Sequence, residues 1–92
     1  MMTVEQSDQA ILETFAATRD AGAFEELVRR YSRLVYSAAV RQVRDPHLAE
    51  DITQAVFIVL ARQAGSIRRD VVLPAWLFTV TRHAVAGPGR HR

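Results

Sequence analysis

Asp45-Pro46-His47-Leu48-Ala49-Glu50-Asp51-Ile52-Thr53-Gln54-Ala55-Val56-Phe57-Ile58-Val59-Leu60-Ala61-Arg62 is the stretch that decides the fold. It opens as a helix opens. Asp45 has the short acceptor side chain that caps orphan N–H groups, and Pro46 takes the first helical position, where a missing N–H costs nothing. Glu50 and Asp51 follow in the opening turns, where the helix dipole favours negative charge. Leu48, Ile52, Ala55, Val56, Val59 and Leu60 then recur at helical spacing as one apolar stripe. Asp51, Gln54, Ile58 and Arg62 fall on a different side, with Phe57 on a third. A helix with apolar groups on several sides is buried on more than one face or offers one to a partner. Residues 55–61 have the Val, Ile and Phe of a buried strand, but the Asp-Pro start and the flanking periodicity decide for helix.

Three more helices are predicted around this one, which makes the expected fold all-α, a small bundle of four helices. Residues 4–19 place Ile11, Leu12 and Phe15 on one face, extended by Ala16, and Asp20-Ala21-Gly22 breaks the pattern. Residues 23–44 repeat Phe24, Leu27, Val28, Tyr31, Leu34, Val35, Ala38 and Ala39 at three-and-four spacing, with Glu25, Glu26, Arg29, Arg30, Arg33 and Arg41 outside. Glu25–Arg29 and Glu26–Arg30 set the acid four residues before the base, the favourable order, worth about 0.3 kcal/mol each. The helix opened by Asp45 is expected to run over 46–64 and to stop at Gly65 as a C-terminal glycine. A connector over 66–73 leads to a fourth helix that starts at Pro74, turns Ala75, Trp76, Leu77, Val80 and Ala84 inward, and ends before Gly87-Pro88-Gly89. The expected core is Phe24, Leu27, Val28, Tyr31, Leu34, Val35, Ile52, Val56, Val59, Leu60, Trp76, Leu77 and Val80. One helical domain over 1–86, including the N-terminal helix 4–19, and a flexible tail over 87–92 complete the expected organisation.

A chain of 92 residues, 49% of them hydrophobic, is long enough for one small apolar core and too apolar for wholesale disorder. It has no cysteine, so disulfides and thiolate chemistry are excluded. Residues 1–10 carry Glu5 and Asp8 and no basic residue, unlike a secretory signal, and the apolar run 55–61 is too short to span a bilayer. The chain therefore reads as cytoplasmic, with no membrane partner. The net charge of +2 hides an asymmetry: residues 1–26 hold six acids against Arg19, giving −5, and residues 27–92 hold eleven arginines against four acids, giving +7. All twelve basic residues are arginine; its planar fork suits phosphate, although a GC-rich genome produces the same bias. A basic half of this kind permits a polyanionic partner.

Nothing in the pattern points to catalysis. His47, His83 and His91 stand far apart, with no second ligand at metal spacing, so no metal site and no cofactor is expected. Glu50 and Asp51 are adjacent, point roughly a quarter-turn apart, and cannot share a proton as a catalytic dyad does. Acids in a first turn act as dipole partners far more often than as catalysts.

Three segments, in order, resemble region 2 of the extracytoplasmic-function (ECF) sigma factors of bacteria. Ala-Phe-Glu-Glu-Leu-Val-Arg-Arg-Tyr at 23–31 is similar to the family's first region 2 helix, and 45–62, with its Asp-x-x-Gln-x-x-Phe, to the second. Leu-Pro-Ala-Trp-Leu-Phe-Thr-Val-Thr-Arg-His-Ala at 73–84 looks like the start of the promoter-melting helix. The resemblance covers about two thirds of the chain, and 4–19 fits the family's N-terminal helix as well. It implies that Asp51, Gln54, Ile58 and Arg62 dock on the clamp-helix coiled coil of the largest subunit of core RNA polymerase. It implies that the connector, with Ser66, Ile67, Arg68 and Arg69, cradles a base flipped from the minus-ten element of promoter DNA. Trp76, Arg82 and His83 would then lie along the melted single strand. An anti-sigma factor is a further partner that the family implies.

Bland readings stand beside these. Phe57 packs against a neighbouring helix in preference to a partner, Trp76 is core in preference to a base-stacking platform, and Arg68-Arg69 is equally a solvated loop. His83 stands where relatives often carry Asn or an aromatic residue. Family members continue through an arginine-rich stretch and a linker into a second helical domain, region 4, which reads the minus-35 element. Here the fourth helix gives way to Gly87-Pro88-Gly89-Arg90-His91-Arg92, so a truncated factor lacking region 4 is expected. The alternative of another class is a stand-alone helical interaction module, a decoy that occupies polymerase or an anti-sigma factor without starting transcription.

Overall fold

Residues 6–87 are described by the computed structural model, and in them four helices follow one another through short connections. The first, α1, is Asp8–Thr18, capped by Ser7, whose Oγ accepts from the Ala10 N–H at 3.1 Å. The helix expected over 4–19 starts later, since Gln6 and Ser7 are not helical; residues 4 and 5, and the expected tail beyond residue 87, lie outside the described residues. The second, α2, is Ala21–Val43. The break expected at Asp20-Ala21-Gly22 falls at Arg19 and Asp20, and the rest of that stretch already starts α2: Asp20 Oδ2 accepts from the Ala23 N–H at 3.2 Å, and Ala21 and Gly22 are helical. A short acceptor ahead of an apolar periodic run is a cap.

The third helix, α3, is Pro46–Gln63, and its start is the one expected: Asp45 Oδ1 accepts from the N–H groups of His47 and Leu48 at 3.0 and 3.2 Å. Its end is not. Gly65 has no positive φ; the chain tightens into a 3-10 turn over Ala64–Ser66, and Ala64 is buried. The fourth helix, α4, is Leu73–Ala86, one residue earlier than expected, with Leu73 itself buried in the core.

Helix α2 is the hub, packed against α1, α3 and α4, and α3 and α4 also pack on each other. The buried core takes Ile11, Leu12 and Phe15 from α1, Leu27, Val35 and Ala39 from α2, Ala49, Ile52, Val56, Phe57 and Leu60 from α3, and Leu73 and Leu77 from α4. Six of these (Leu27, Val35, Ile52, Val56, Leu60 and Leu77) were expected. Phe24, Val28, Tyr31, Trp76 and Val80 are only partly buried and pack against that core. Leu34 and Val59 are half-buried and stand outside it, and Ala55 is exposed. The reason is geometric: each helix here meets its neighbours over a narrower arc than its apolar stripe covers. Phe57 goes inward, 6% exposed, its ring edge-on to Phe24 at 6.4 Å, and Phe24 in turn meets Phe15 at 4.9 Å.

Polar contacts fix α1 against α2. Asp8 accepts from the Arg30 guanidinium at 2.9 Å and from the Tyr31 hydroxyl. Arg30 also pairs with Glu26 at 2.9 Å, as its spacing implied, but Arg29 pairs with Glu26 as well and not with the expected Glu25. The Arg30 hydrogen bond holds the Glu26 carboxyl below the usual carboxylate range, against the opposing effect of burial.

Candidate functional site

On α3, the residues at positions 51, 54, 58 and 62 lie three and four apart, and the fold leaves this whole face uncovered. Asp51, Gln54 and Arg62 are exposed, and Ile58 is 54% exposed, which makes it one of the few large apolar side chains left in water. The face borders a groove of about 400 Å3 between α2 and α3, lined by Phe24, Val28, Ser32, Thr53, Gln54, Phe57, Ile58 and Ala61. Gln54 also borders a second hollow, of about 560 Å3, with Ser32, Arg33, Tyr36, Glu50 and Thr53. Polar groups therefore flank an apolar trough two helices wide, a shape that suits the side of a partner helix.

The connector between α3 and α4 is held from within and from α1. Ser66 Oγ donates to the Gln63 carbonyl at 3.0 Å, and Ile67 packs its side chain against the core. The Val71 N–H donates to the Arg68 carbonyl at 3.1 Å, closing a turn, and the Arg68 guanidinium reaches Asp70 at 2.7 and 3.2 Å across it. Arg69 pairs with Glu13 of α1 at 2.7 Å, and Gln9 Nε2 donates to the Val71 carbonyl at 3.0 Å. Both connector arginines keep about four fifths of their side-chain surface in water, 78% for Arg68 and 79% for Arg69. They are accessible to an anion, but each already has a carboxylate.

On α4 the expected residues part company. Arg82 and His83 are exposed, whereas Trp76 is half-buried and packs against the core. The aromatic ring that the outer face of α4 does present is Phe78, 39% exposed and one turn before Arg82. The only sequence signal for Phe78 is its four-residue spacing to Arg82; Trp76, which the resemblance places along the strand, packs as the core reading expects. Val72, 65% exposed at the end of the connector, is a second apolar group that sequence reasoning passed over. Among the described residues no three His, Cys, Asp or Glu side chains are grouped as a metal site, and no helix is long and apolar enough to cross a membrane.

The family model for sigma-70 region 2 matches residues 27–86. The chain belongs to that family. Region 2 here thus takes in α2 from Leu27, all of α3, the connector and α4, and every expected site residue falls within it, although Phe24 of the groove does not. Nor do Glu13 and Gln9. The RNA polymerase sigma-H factor of Pseudomonas aeruginosa is 35% identical over 91 residues, covering 94% of this chain and 46% of that protein. The ECF RNA polymerase sigma factor SigK of Mycobacterium sp. (strain KMS) is 37% identical over 81 residues, covering 86% and 42%. The RNA polymerase sigma factor CarQ of Myxococcus xanthus is 34% identical over 70 residues, covering 76% and 40%. The chain spans less than half the length of these relatives. No solved structure matches it significantly.

Proposed function

We propose that this chain is the region 2 unit of an ECF-type sigma factor, acting by binding and not by catalysis. It docks on the clamp helices of core RNA polymerase through Asp51, Gln54, Ile58 and Arg62. It takes up an unstacked base of the minus-ten element at the connector and lays α4 along the melted strand. The observation that carries this is the uncovered α3 face within the matched segment: a charged and amide edge beside an apolar groove of about 400 Å3. Membership of the family and the relatives named for RNA polymerase support core polymerase as the partner of that face.

The chemistry of the DNA side follows from single-strand recognition, in which cations meet phosphates and aromatic rings stack on bases. Arg68, Arg69 and Arg82 supply the cations, and the exposed Phe78, in place of the core-packed Trp76, supplies the aromatic platform. A base leaves the stack only at a cost of several kcal/mol in a duplex, so a loop that accepts one favours strands already open.

Core polymerase retained on the immobilised chain tests the docking step. Asp51→Arg with Gln54→Ala is expected to weaken retention at least about tenfold, with the circular dichroism unchanged because both side chains are exposed. Core polymerase that ignores the wild-type chain sinks the proposal. Transcription in vitro from a cognate promoter separates it from the decoy alternative, which gives inhibition and no transcript.

A further inference from the structure

We propose that α1, which lies ahead of the family-matched segment, holds the connector closed, and that Glu13 occupies on Arg69 the place a phosphate takes when nucleic acid binds. Glu13 and Gln9 are then positioning residues that set the affinity and the salt dependence of the DNA interaction. The inference rests on the DNA reading above and adds to it the residues that oppose binding.

Two contacts from successive turns of one α1 face grip the connector at two points. Arg69 gives both Nε and Nη2 to a single Glu13 oxygen, at 2.8 and 2.7 Å, and Gln9 Nε2 donates to the Val71 carbonyl at 3.0 Å. Beneath them a groove of about 440 Å3 separates α1 from the connector, with Ala64, Gly65 and Ile67 on its far side and Gln9 and Glu13 on its near side. Asp70, between the two grips, holds the guanidinium of Arg68 just ahead of them. The guanidinium fork that binds a carboxylate is the same fork that binds a phosphate, so Arg69 gives its paired donors to one or the other. Glu13 also sets a negative charge beside any approaching strand. The pair is open to solvent, at 79% and 48% side-chain exposure, so it is screened and exchangeable, and its competition with phosphate amounts to about a two- to fivefold effect.

The sequence carries the same logic at lower resolution. The N-terminal residues 1–26 have a charge of −5, and residues 27–92 of +7. Folding brings one of those acids onto the connector, 56 residues away along the chain.

The test uses the full chain and a short fluorescent single-stranded oligonucleotide of minus-ten type, read by anisotropy at several salt concentrations. Glu13→Gln is expected to tighten binding by about two- to fivefold and to steepen the log–log salt slope by about 0.7, the increment for one more phosphate on a single strand. In an Arg69→Ala background the same substitution should do nothing, which closes a double-mutant cycle on that pair. Unchanged or weaker binding of Glu13→Gln, or an equal gain without Arg69, overturns the inference. A second measurement needs no DNA. Hydrogen exchange at the Val71 amide, bonded to the Arg68 carbonyl at 3.1 Å, should quicken in Gln9→Ala/Glu13→Gln while α3 core amides stay protected. Unaltered exchange there overturns the inference too. Should neither the wild type nor the variant bind the oligonucleotide, the DNA reading fails, and the exchange measurement alone decides whether α1 holds the connector.

Discussion

Single residues in this bundle separate by how far each goes inward, not by how apolar it is. Leu27 and Leu34 sit two turns apart on α2 and look interchangeable in the sequence, yet Leu27 is 0% exposed and Leu34 is half-buried outside the core. Leu27→Ala is therefore expected to cost about 2–5 kcal/mol, through lost burial and the cavity left behind, and in so small a domain that approaches the whole stability. Leu34→Ala should cost clearly less, a contrast that chemical denaturation of the two variants measures; equal losses would contradict the packing. Tyr31 gives a second contrast. Burial, reinforced by its hydrogen bond to Asp8 and the nearby Asp8 charge, pushes its phenol up to about 12 from an ordinary 10, with the Arg30 charge acting the other way. A group whose folded pKa is raised stabilises fully below its unfolded value and loses that contribution as pH climbs to the folded one. Melting temperature should accordingly fall between pH 10 and 12, and Tyr31→Phe should flatten that fall while lowering stability at neutral pH. A variant that keeps the full alkaline slope would place its origin elsewhere.

At the scale of elements, all four helix ends lie within one residue of where the pattern put them, whereas the Ser7 and Asp20 caps that start α1 and α2 were missed. The Asp45 cap and Pro46 fix the beginning of α3 by chemistry carried within four residues, so sequence alone finds it. Two helices end on arginines in the left-handed conformation, Arg19 at φ 57° and Arg44 at φ 58°, whose N–H groups donate to the Phe15 and Val40 carbonyls at 2.8 Å. Glycine or asparagine announces a left-handed cap and arginine does not, so these two ends were placed without their conformation being readable, while the glycine that did look like a terminator, Gly65, sits in a 3-10 turn. The four helices and the exposed α3 face were nonetheless readable from periodicity, because both follow from residues three and four apart. The two left-handed arginines differ in what they gain. Arg19 lays its guanidinium over the Phe15 ring at 4.2 Å and donates to the Ala61 carbonyl at 3.0 Å, which holds the end of α1 to α3. The exposed Arg44 side chain makes no such contact among the described residues. Arg44→Gly should therefore stabilise the fold, by about 0.5–1 kcal/mol after the entropy that glycine adds to the unfolded chain. Arg19→Gly should not, since it gives up two side-chain contacts, one of them to α3, for the same backbone relief. Thermal melts of the pair settle it, and a stabilising Arg19→Gly would mean that those contacts are worth nothing.

Over the whole molecule, the charge asymmetry was legible in composition, but its pairing was not. Asp8 with Arg30 and Glu13 with Arg69 join residues 22 and 56 apart, and no local spacing announces either. The basic half is therefore less basic in the folded chain than in the sequence, which bears directly on the proposed nucleic-acid binding. Arg68, Arg69 and Arg82, with Arg90 and Arg92 beyond the described residues, would neutralise at most five phosphates. At roughly −0.7 per phosphate on a single strand, the log–log salt slope of the wild-type chain is then no steeper than about −3.5. Arg68 and Arg69 must first leave Asp70 and Glu13, so the observed slope should fall short of that limit, and affinity without polymerase should be no better than about micromolar on the scale of non-specific binding. Single-stranded minus-ten-like DNA should bind more tightly than the matched duplex, because only an unstacked base enters the connector without the cost of opening a helix. Anisotropy with matched single- and double-stranded oligonucleotides at two salt concentrations decides it. Tighter binding to duplex, or no loss in Arg68→Ala/Arg69→Ala, would make the connector a solvated loop whose arginines serve only Asp70 and Glu13.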